Sequence, residues 1–484
     1  MKTLVFNTFN FPPGFLGPMF SELQDCIDAG ENVTYFTCNG GVERCGFNIH
    51  ALQYQCSMCK YRFNHAKPNV TGNFSTINLP QIISDEDVAQ ATAFMQANPK
   101  INMHTTFNGF EVGAGVLSSY ISKIRDMEVV VSENYPAIQR LAYLTILHYL
   151  SLKRWIEKNN IQKIILFNGR WDYYRAAFRI GQQLNIPVKV IEVLRPGGYV
   201  EKIDNEFPHS TAVRQAMIDD CWQNSPLPLN EKMAIGSKFF ERKSKGEEIV
   251  DVAYTQLQQK AKLPTNINLT KKVVTIFTSS DDEFVAMGDD YTNPFFPNQS
   301  AGVGYVAALY AENFPDTQLV IRMHPNLKGL EFGYINSVKA LKGKYVNVFV
   351  EYPESEVDSY ELMKVSEKII VFGSSMALEA TFAGKPVALL SKTYYSLADV
   401  AHFPNSLQDI PALLASDLLP KPVENAIKFG YYYLAGGIKA THFNHEFRKN
   451  HFFKTHNLDA IDSFSRTIQK ISKYFKITNK NVSF

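Results

Sequence analysis

The chain has 484 residues, 45% hydrophobic and 20% charged, the balance of a globular enzyme long enough for two or three domains. Its 49 basic and 47 acidic residues leave a formal net charge of +2, which excludes the strongly basic balance of a nucleic-acid binder. No apolar run reaches about 18 residues, so nothing reads as a membrane span.

The N-terminal stretch is interrupted by Asn7, Asn10 and two prolines, so it reads as a strand and loop rather than a signal peptide, and a cytoplasmic location is expected. Thr3–Asn7 is expected as a strand, Phe9–Gly17 as a Pro/Gly-rich loop, Pro18–Ala29 as a helix and Asn32–Thr37 as the next strand. Gly14, in that loop, would let the backbone approach a ligand. Cys38, Cys45, Cys56 and Cys59 then fall within 22 residues, the last pair as C-x-x-C. In a reducing compartment two readings stay open for them, a structural zinc held by four thiolates or unligated buried thiols. An irregular, Asn-rich stretch is expected to about residue 110, then amphipathic helices at Val116–Arg125 and Pro136–Asn159.

Strand and helix alternate again from Lys163–Phe167 through Tyr173–Leu184 to Val188–Val193. The strand-end residues Asn168, Arg170 and Arg195 are candidates to line a substrate cleft, because open α/β sheets bind ligands at the carboxyl ends of their strands. Residues 199–270 read as polar and helical, with Leu263–Leu269 as an inter-domain linker. A second α/β unit follows, with strands at Val273–Phe277, Gln318–Arg322, Asn347–Val350, Lys368–Phe372 and Val387–Leu390. The sequence Gly373-Ser374-Ser375 breaks the fourth of these and opens a helix over Met376–Ala383.

The strand ends of this second unit carry the chemistry. Ser279 and Ser280, His324 with Arg322 before it, and Ser374 and Ser375 are candidates to hold a nucleotide phosphate. Glu379, one turn beyond the serines, is a candidate to accept hydrogen bonds from ribose hydroxyls. Asp281, Asp282 and Glu283 form an acidic turn, and Asp282 or Glu283 is the candidate general base. No metal-binding D-x-D stands beside a strand, so a metal-independent reaction is expected, with dipoles, hydroxyls and the His324 side chain stabilising the departing phosphate.

Arg322-Met-His-Pro-Asn326, followed by Gly373-Ser-Ser-x-x-x-Glu379-Ala-x-x-x-Gly-Lys-Pro386, resembles the capsule polysaccharide biosynthesis family and, more broadly, the GT-B glycosyltransferases. Tyr394-Tyr395-Ser-Leu-Ala-Asp399 is similar to that family as well. The resemblance implies that His324, Ser374 and Ser375 hold the donor phosphate and Glu379 the ribose. It implies two Rossmann-like α/β domains facing a cleft, the first over residues 1–262 with the Cys insertion and the second over 271–423, followed by C-terminal helices over 424–484 that pack back across both. The activity it implies is transfer of a sugar from a CMP- or UDP-linked donor to a bacterial surface glycan, with no cofactor for catalysis. A CDP-polyol phosphotransferase, a nucleotide-sugar epimerase and a non-catalytic nucleotide-sugar-binding protein are the alternatives. The basic, aromatic segment Asn444–Phe484, with Phe447, Arg448, Lys449, Phe452, Phe453, Lys454, Ile468, Lys470, Ile471, Lys473, Tyr474, Phe475 and Lys476, is a candidate for peripheral contact with the inner membrane face.

Overall fold

The computed structural model describes residues 1–129, 135–284 and 287–474. The chain falls into two compact units, Met1–Pro208 with Gly437–Phe484, and His209–Gly436. The strands in chain order are β1 Lys2–Phe6, β2 Asn32–Phe36, β3 Ser75–Ile77, β4 Lys163–Phe167, β5 Val188–Arg195 and β6 Tyr199–Asp204. They continue as β7 Val273–Phe277, β8 Gln318–Arg322, β9 Val348–Glu351, β10 Lys368–Val371 and β11 Val387–Leu389. The last four are β12 Ile438–Lys439, β13 Phe443–Glu446, β14 Lys449–Phe453 and β15 His456–Asn457.

The first unit is built on a sheet of order β12-β6-β5-β4-β1-β2-β3. Strands β1 to β5 are parallel neighbours, and their Val, Ile, Leu and Phe runs are buried because helices cover both faces. Strand β6 returns antiparallel to β5, and β12 adds an antiparallel edge. The second unit has a five-stranded parallel sheet of order β11-β10-β7-β8-β9. Counted along its own chain the order is 5-4-1-2-3, the doubly wound arrangement of a Rossmann-like domain. The order reverses between β7 and β10, so a crevice opens at their carboxyl ends. Both units are therefore Rossmann-like α/β structures.

Several expectations are corrected. The first helix starts at Pro13 and runs to Asp28 with Pro18 inside it, so most of the expected loop over Phe9–Gly17 is its first turn. The stretch expected as irregular carries a helix at Gln53–Ala66, strand β3 and a helix at Asp85–Ala97, the last begun by a Ser84 and Asp87 capping box. The segment expected as polar and helical contains β6. The first unit stops at Pro208 rather than 262, and the segment beyond 423 divides at Gly436. The reason is a close helix crossing within the second unit: a Cβ on Gly430 would lie 2.2 Å from the Gly236 carbonyl oxygen, so the Leu229–Ser244 helix is seated on the Val423–Ala435 helix.

Leu263–Leu269 is no linker between the units. It lies inside the second one, bracketed by hydrogen bonds of Gln259 N to Glu356 O (2.8 Å) and of Asn268 N to Gln318 Oε1 (2.7 Å). In the C-terminal segment, where only helices were expected, a three-stranded antiparallel sheet stands between the Val423–Ala435 helix and a helix at Ser463–Tyr474. Its Phe453 ring packs edge-on against Phe20, and Lys454 Nζ donates to Gln24 Oε1 at 2.9 Å, so it belongs to the first unit.

Candidate functional site

In the second unit, three loops converge at the carboxyl ends of the central strands β7, β8 and β10. The Asn326 amide, just past β8, donates to Ser280 Oγ (3.2 Å) and to Glu283 Oε1 (2.9 Å), both past β7. His324 N donates to Thr278 Oγ1 at 2.9 Å. The β10 loop closes the third side: a Cβ on Gly373 would stand 3.8 Å from the Phe284 ring, and its φ of +124° is one that glycine adopts without strain. The sequence thus brings together Ser279, Ser280, Asp282, Glu283 and His324, with Ser374 and Ser375 on the neighbouring strand end.

His324 Nδ1 accepts the Asn326 N–H at 3.1 Å, which places the proton of the neutral imidazole on Nε2. The ring meets Tyr254 edge-on, with centroids 5.1 Å apart. Ser279 is tied at both N and Oγ to Gln299 Oε1 (2.7 and 3.0 Å), so it shapes the β7 loop. Ser280 Oγ donates to Asp282 Oδ1 at 2.9 Å. Burial lifts the Asp281 carboxyl to about 7, with the Asp282 charge adding to it, against the hydrogen bond that Asp281 accepts from Gln299 N. A carboxyl in that range suits proton transfer near neutral pH, although by surface area Asp282, 3% exposed, is the more buried side chain of this turn and Asp281 is half-buried.

Ser375 stands before the Met376–Phe382 helix, but its hydroxyl turns to Glu379 Oε1 (3.3 Å), while Ser374 Oγ accepts the Met376 N–H at 3.4 Å. Glu379 is buried and also faces Lys243 Nζ at 3.2 Å and the Tyr360 hydroxyl. Burial pulls the Lys243 ammonium down, yet Glu379 and Asp251 outweigh it and hold the group above its ordinary range. Burial and the Glu379 charge push the Tyr360 phenol up. Lys243 and Tyr360 lie 136 and 19 residues from Glu379 in the chain, and no local spacing pointed to them.

Other candidates are engaged elsewhere. Arg322 is buried, and its guanidinium donates to the carbonyls of Met323, Tyr352 and Ser355 at 3.2, 2.6 and 3.0 Å. It pins the loop after β9, where a phosphate contact was expected, because its strand position turns it into the protein. In the first unit Asn168 donates to Glu192, and Arg170 donates to Ser118 Oγ (3.4 Å) and Ser122 Oγ (3.2 Å). Arg195 stacks on Tyr199, 3.3 Å from its ring centroid. Gly14 lies in the first turn of a helix, where a Cβ would meet His451 Nε2 at 3.4 Å, so it makes room for that ring.

The cysteines form no disulfide, and among the described residues no three His, Cys, Asp or Glu side chains are placed to hold a single metal ion. Cys38, Cys45, Cys56 and Cys59 nevertheless line one cavity, and burial pushes the Cys38 and Cys59 thiols up to about 11 and about 12.

With this geometry in place, a family comparison becomes specific. Residues 243–405 match the family model described as capsule polysaccharide biosynthesis protein. This segment is similar to that family. It begins at Lys243 and spans every strand-end group of the second unit named above. No curated protein sequence matches the chain. Among solved structures, the beta Kdo 2,4 transferase KpsC of Thermosulfurimonas dismutans is similar at 13% identity over 55% of this chain and 78% of that one, with a TM-score of 0.37. A UDP-GlcNAc 2-epimerase from Neisseria meningitidis bound to UDP-GlcNAc aligns at 13% identity over 90% of this chain and 99% of that one, TM-score 0.27. Sucrose-phosphate synthase from Thermosynechococcus elongatus aligns at 11% identity over 90% and 94%, TM-score 0.28. Among the described residues no helix is long and apolar enough to cross a membrane.

Proposed function

We propose that the chain is a metal-independent glycosyltransferase that moves a sugar from a nucleotide-sugar donor to a capsule-type glycan, with the donor held by the second unit. The observation that carries this reading is the coincidence of the capsule family segment, residues 243–405, with a polar cluster at the β7/β10 switch point. In this reading His324 and the hydroxyls of Ser280, Ser374 and Ser375 face the donor phosphates. Glu379 exchanges its Ser375 contact for a ribose hydroxyl, and Lys243 stays paired beside it. The general base comes from the acidic turn, with Asp281 ahead of Asp282 and Glu283 because its proton equilibrium lies near neutrality. We further propose contact with an anionic membrane surface through the final helix, which exposes Lys470, Ile471, Lys473 and Tyr474. Phe475 and Lys476, and the side chain of Ile468, lie outside the described residues.

A thermal-shift panel of UDP, CMP, CDP and GDP tests the donor site. A nucleotide at a hundred times its Kd should stabilise the protein by about 2.7 kcal/mol, and His324→Ala should diminish that shift. No shift with any of the four rejects the site. Product analysis with the matching sugar nucleotide then separates transfer from epimerisation, and binding without turnover identifies a non-catalytic protein.

A further inference from the structure

The Gly373-Ser374-Ser375 turn is held from behind by the segment that follows β11. Thr393 and Tyr395 of that segment are buried, 0% and 1% exposed. The Tyr395 hydroxyl donates to Ser374 O at 2.7 Å, and burial, which pushes the phenol well above its ordinary range, keeps it a neutral donor. Thr393 Oγ1 donates to Gly373 O at 3.5 Å, and a Cβ on Gly373 would stand 3.5 Å from that same oxygen.

The segment is braced along its length. Leu390 N donates to Val371 O at 2.9 Å, and Thr393 N to Ser396 Oγ at 2.7 Å. Thr381 Oγ1, on the helix after the serines, donates to Val400 O at 2.6 Å. Tyr395 therefore reaches Ser374 from an arch tied to β10 at one end and to that helix at the other, although the two residues are 21 positions apart in the chain.

The Tyr395 bond fixes more than one carbonyl. The Ser374 C=O lies in the peptide plane that also contains the Cα atoms of Ser374 and Ser375. Holding it therefore sets the points from which both side-chain hydroxyls leave the backbone. The oxygen accepts the Tyr395 hydroxyl and, at 3.1 Å, Ala377 N, which uses both of its lone pairs. Its partners are buried groups, so it faces the protein. A carbonyl oxygen turned to the crevice would offer a phosphate no donor. A phenylalanine ring would fill almost the same space, so the oxygen is what separates positioning from packing.

We infer that Tyr395 is a positioning residue of the donor site: it touches no ligand, and its hydroxyl holds the Ser374 carbonyl so that Ser374 Oγ and Ser375 Oγ face the donor phosphates. Thr393 braces the neighbouring Gly373 carbonyl in the same way. The inference rests on the donor site proposed above. Tyr395→Phe removes the hydroxyl and keeps the ring. Calorimetry on the full chain compares it with wild type, using whichever of UDP, CMP, CDP and GDP binds the wild type, and then the nucleoside of the same base, which lacks the phosphate. Nucleotide affinity should fall about fivefold, the worth of one neutral hydrogen bond, while nucleoside affinity stays that of wild type. Unchanged nucleotide affinity overturns the inference. Equal losses for nucleotide and nucleoside also overturn it, because they mark general damage to the fold. Where Tyr395→Phe does not fold, Thr393→Val, which removes the hydroxyl at the Gly373 carbonyl, is judged by the same comparison and the same outcomes. A wild type that binds none of the four nucleotides rejects the donor site itself, a failure read without any variant.

Discussion

At the residue scale, the Ser375–Glu379–Lys243 constellation separates binding from stability. Ser375→Ala removes a hydroxyl from a site that keeps its other contacts, so nucleotide affinity should fall about fivefold, roughly 1 kcal/mol, with little change in melting temperature. Glu379→Gln instead takes away a carboxylate facing the Lys243 ammonium, whose second partner Asp251 is 3.3 Å away. Stability should drop by about 1–3 kcal/mol, beyond any loss of binding. Calorimetry and thermal denaturation on both variants check this, and unchanged nucleotide affinity in Ser375→Ala takes the serine out of the donor site. His148 supplies a pH test. Burial holds it down at about 4, its ring stacks on Tyr173 and its Nδ1 lies 2.8 Å from Leu144 O. The unfolded chain binds this proton near the ordinary 6.5 and the fold only near 4, so the stability His148 contributes above that window is lost as pH falls through it. The stability of wild type relative to His148→Phe should decline by about 3 kcal/mol from pH 7 to pH 4, measured by denaturant titration. A flat difference would mean that the imidazole is not held neutral.

At the element scale, the strands of both parallel sheets were legible because their apolar runs are bounded by Gly, Pro and polar residues. Val273–Phe277, Gln318–Arg322 and Lys163–Phe167 have the bounds expected from the sequence. Short strands in polar sequence were not legible. Strand β6, YVEKID, and the C-terminal strands carry charged and His residues whose pairing depends on a neighbour supplied from far along the chain. Helix crossings were equally hidden, since a glycine in a helix reads as a weakness until the partner helix is in place. Gly430→Ala forces a methyl group against the Gly236 carbonyl and should destabilise the second unit by about 1–3 kcal/mol. Gly304→Ala, in the Gln299–Asn313 helix with nothing within 4 Å, should be neutral or stabilise by about 0.5–1 kcal/mol. Equal melting temperatures for the two variants would remove the close crossing as the reason that residues 209–262 fold with the second unit.

At the scale of the whole molecule, chain continuity and structural unit part company. The chain leaves the first unit at Pro208 and returns at Gly437, so its last residues complete a sheet begun by its first. This places the final helix on the first unit, with Ile471 50% and Tyr474 81% exposed beside Lys470 and Lys473. Each basic residue near an anionic surface contributes about 1 kcal/mol, and the aromatic ring suits the interface. Co-sedimentation with vesicles containing anionic lipid should therefore exceed that with neutral vesicles and fade with salt. Equal, negligible binding to both at low salt leaves the helix with a purely structural role.

The sequence by itself determined the two-fold α/β rhythm, the strand-end positions of Ser279, Ser280, His324, Ser374 and Ser375, and the gathering of four cysteines. Each of these is written in local pattern: a hydrophobic period, a turn residue or a motif read within a few positions. Only the tertiary structure decided that β7 and β10 flank a switch point, that Arg322 faces backbone carbonyls, that Lys243 meets Glu379, and that the thiols surround a cavity. Those outcomes depend on which distant segments are brought together and on what burial then does to charge, neither of which local spacing specifies.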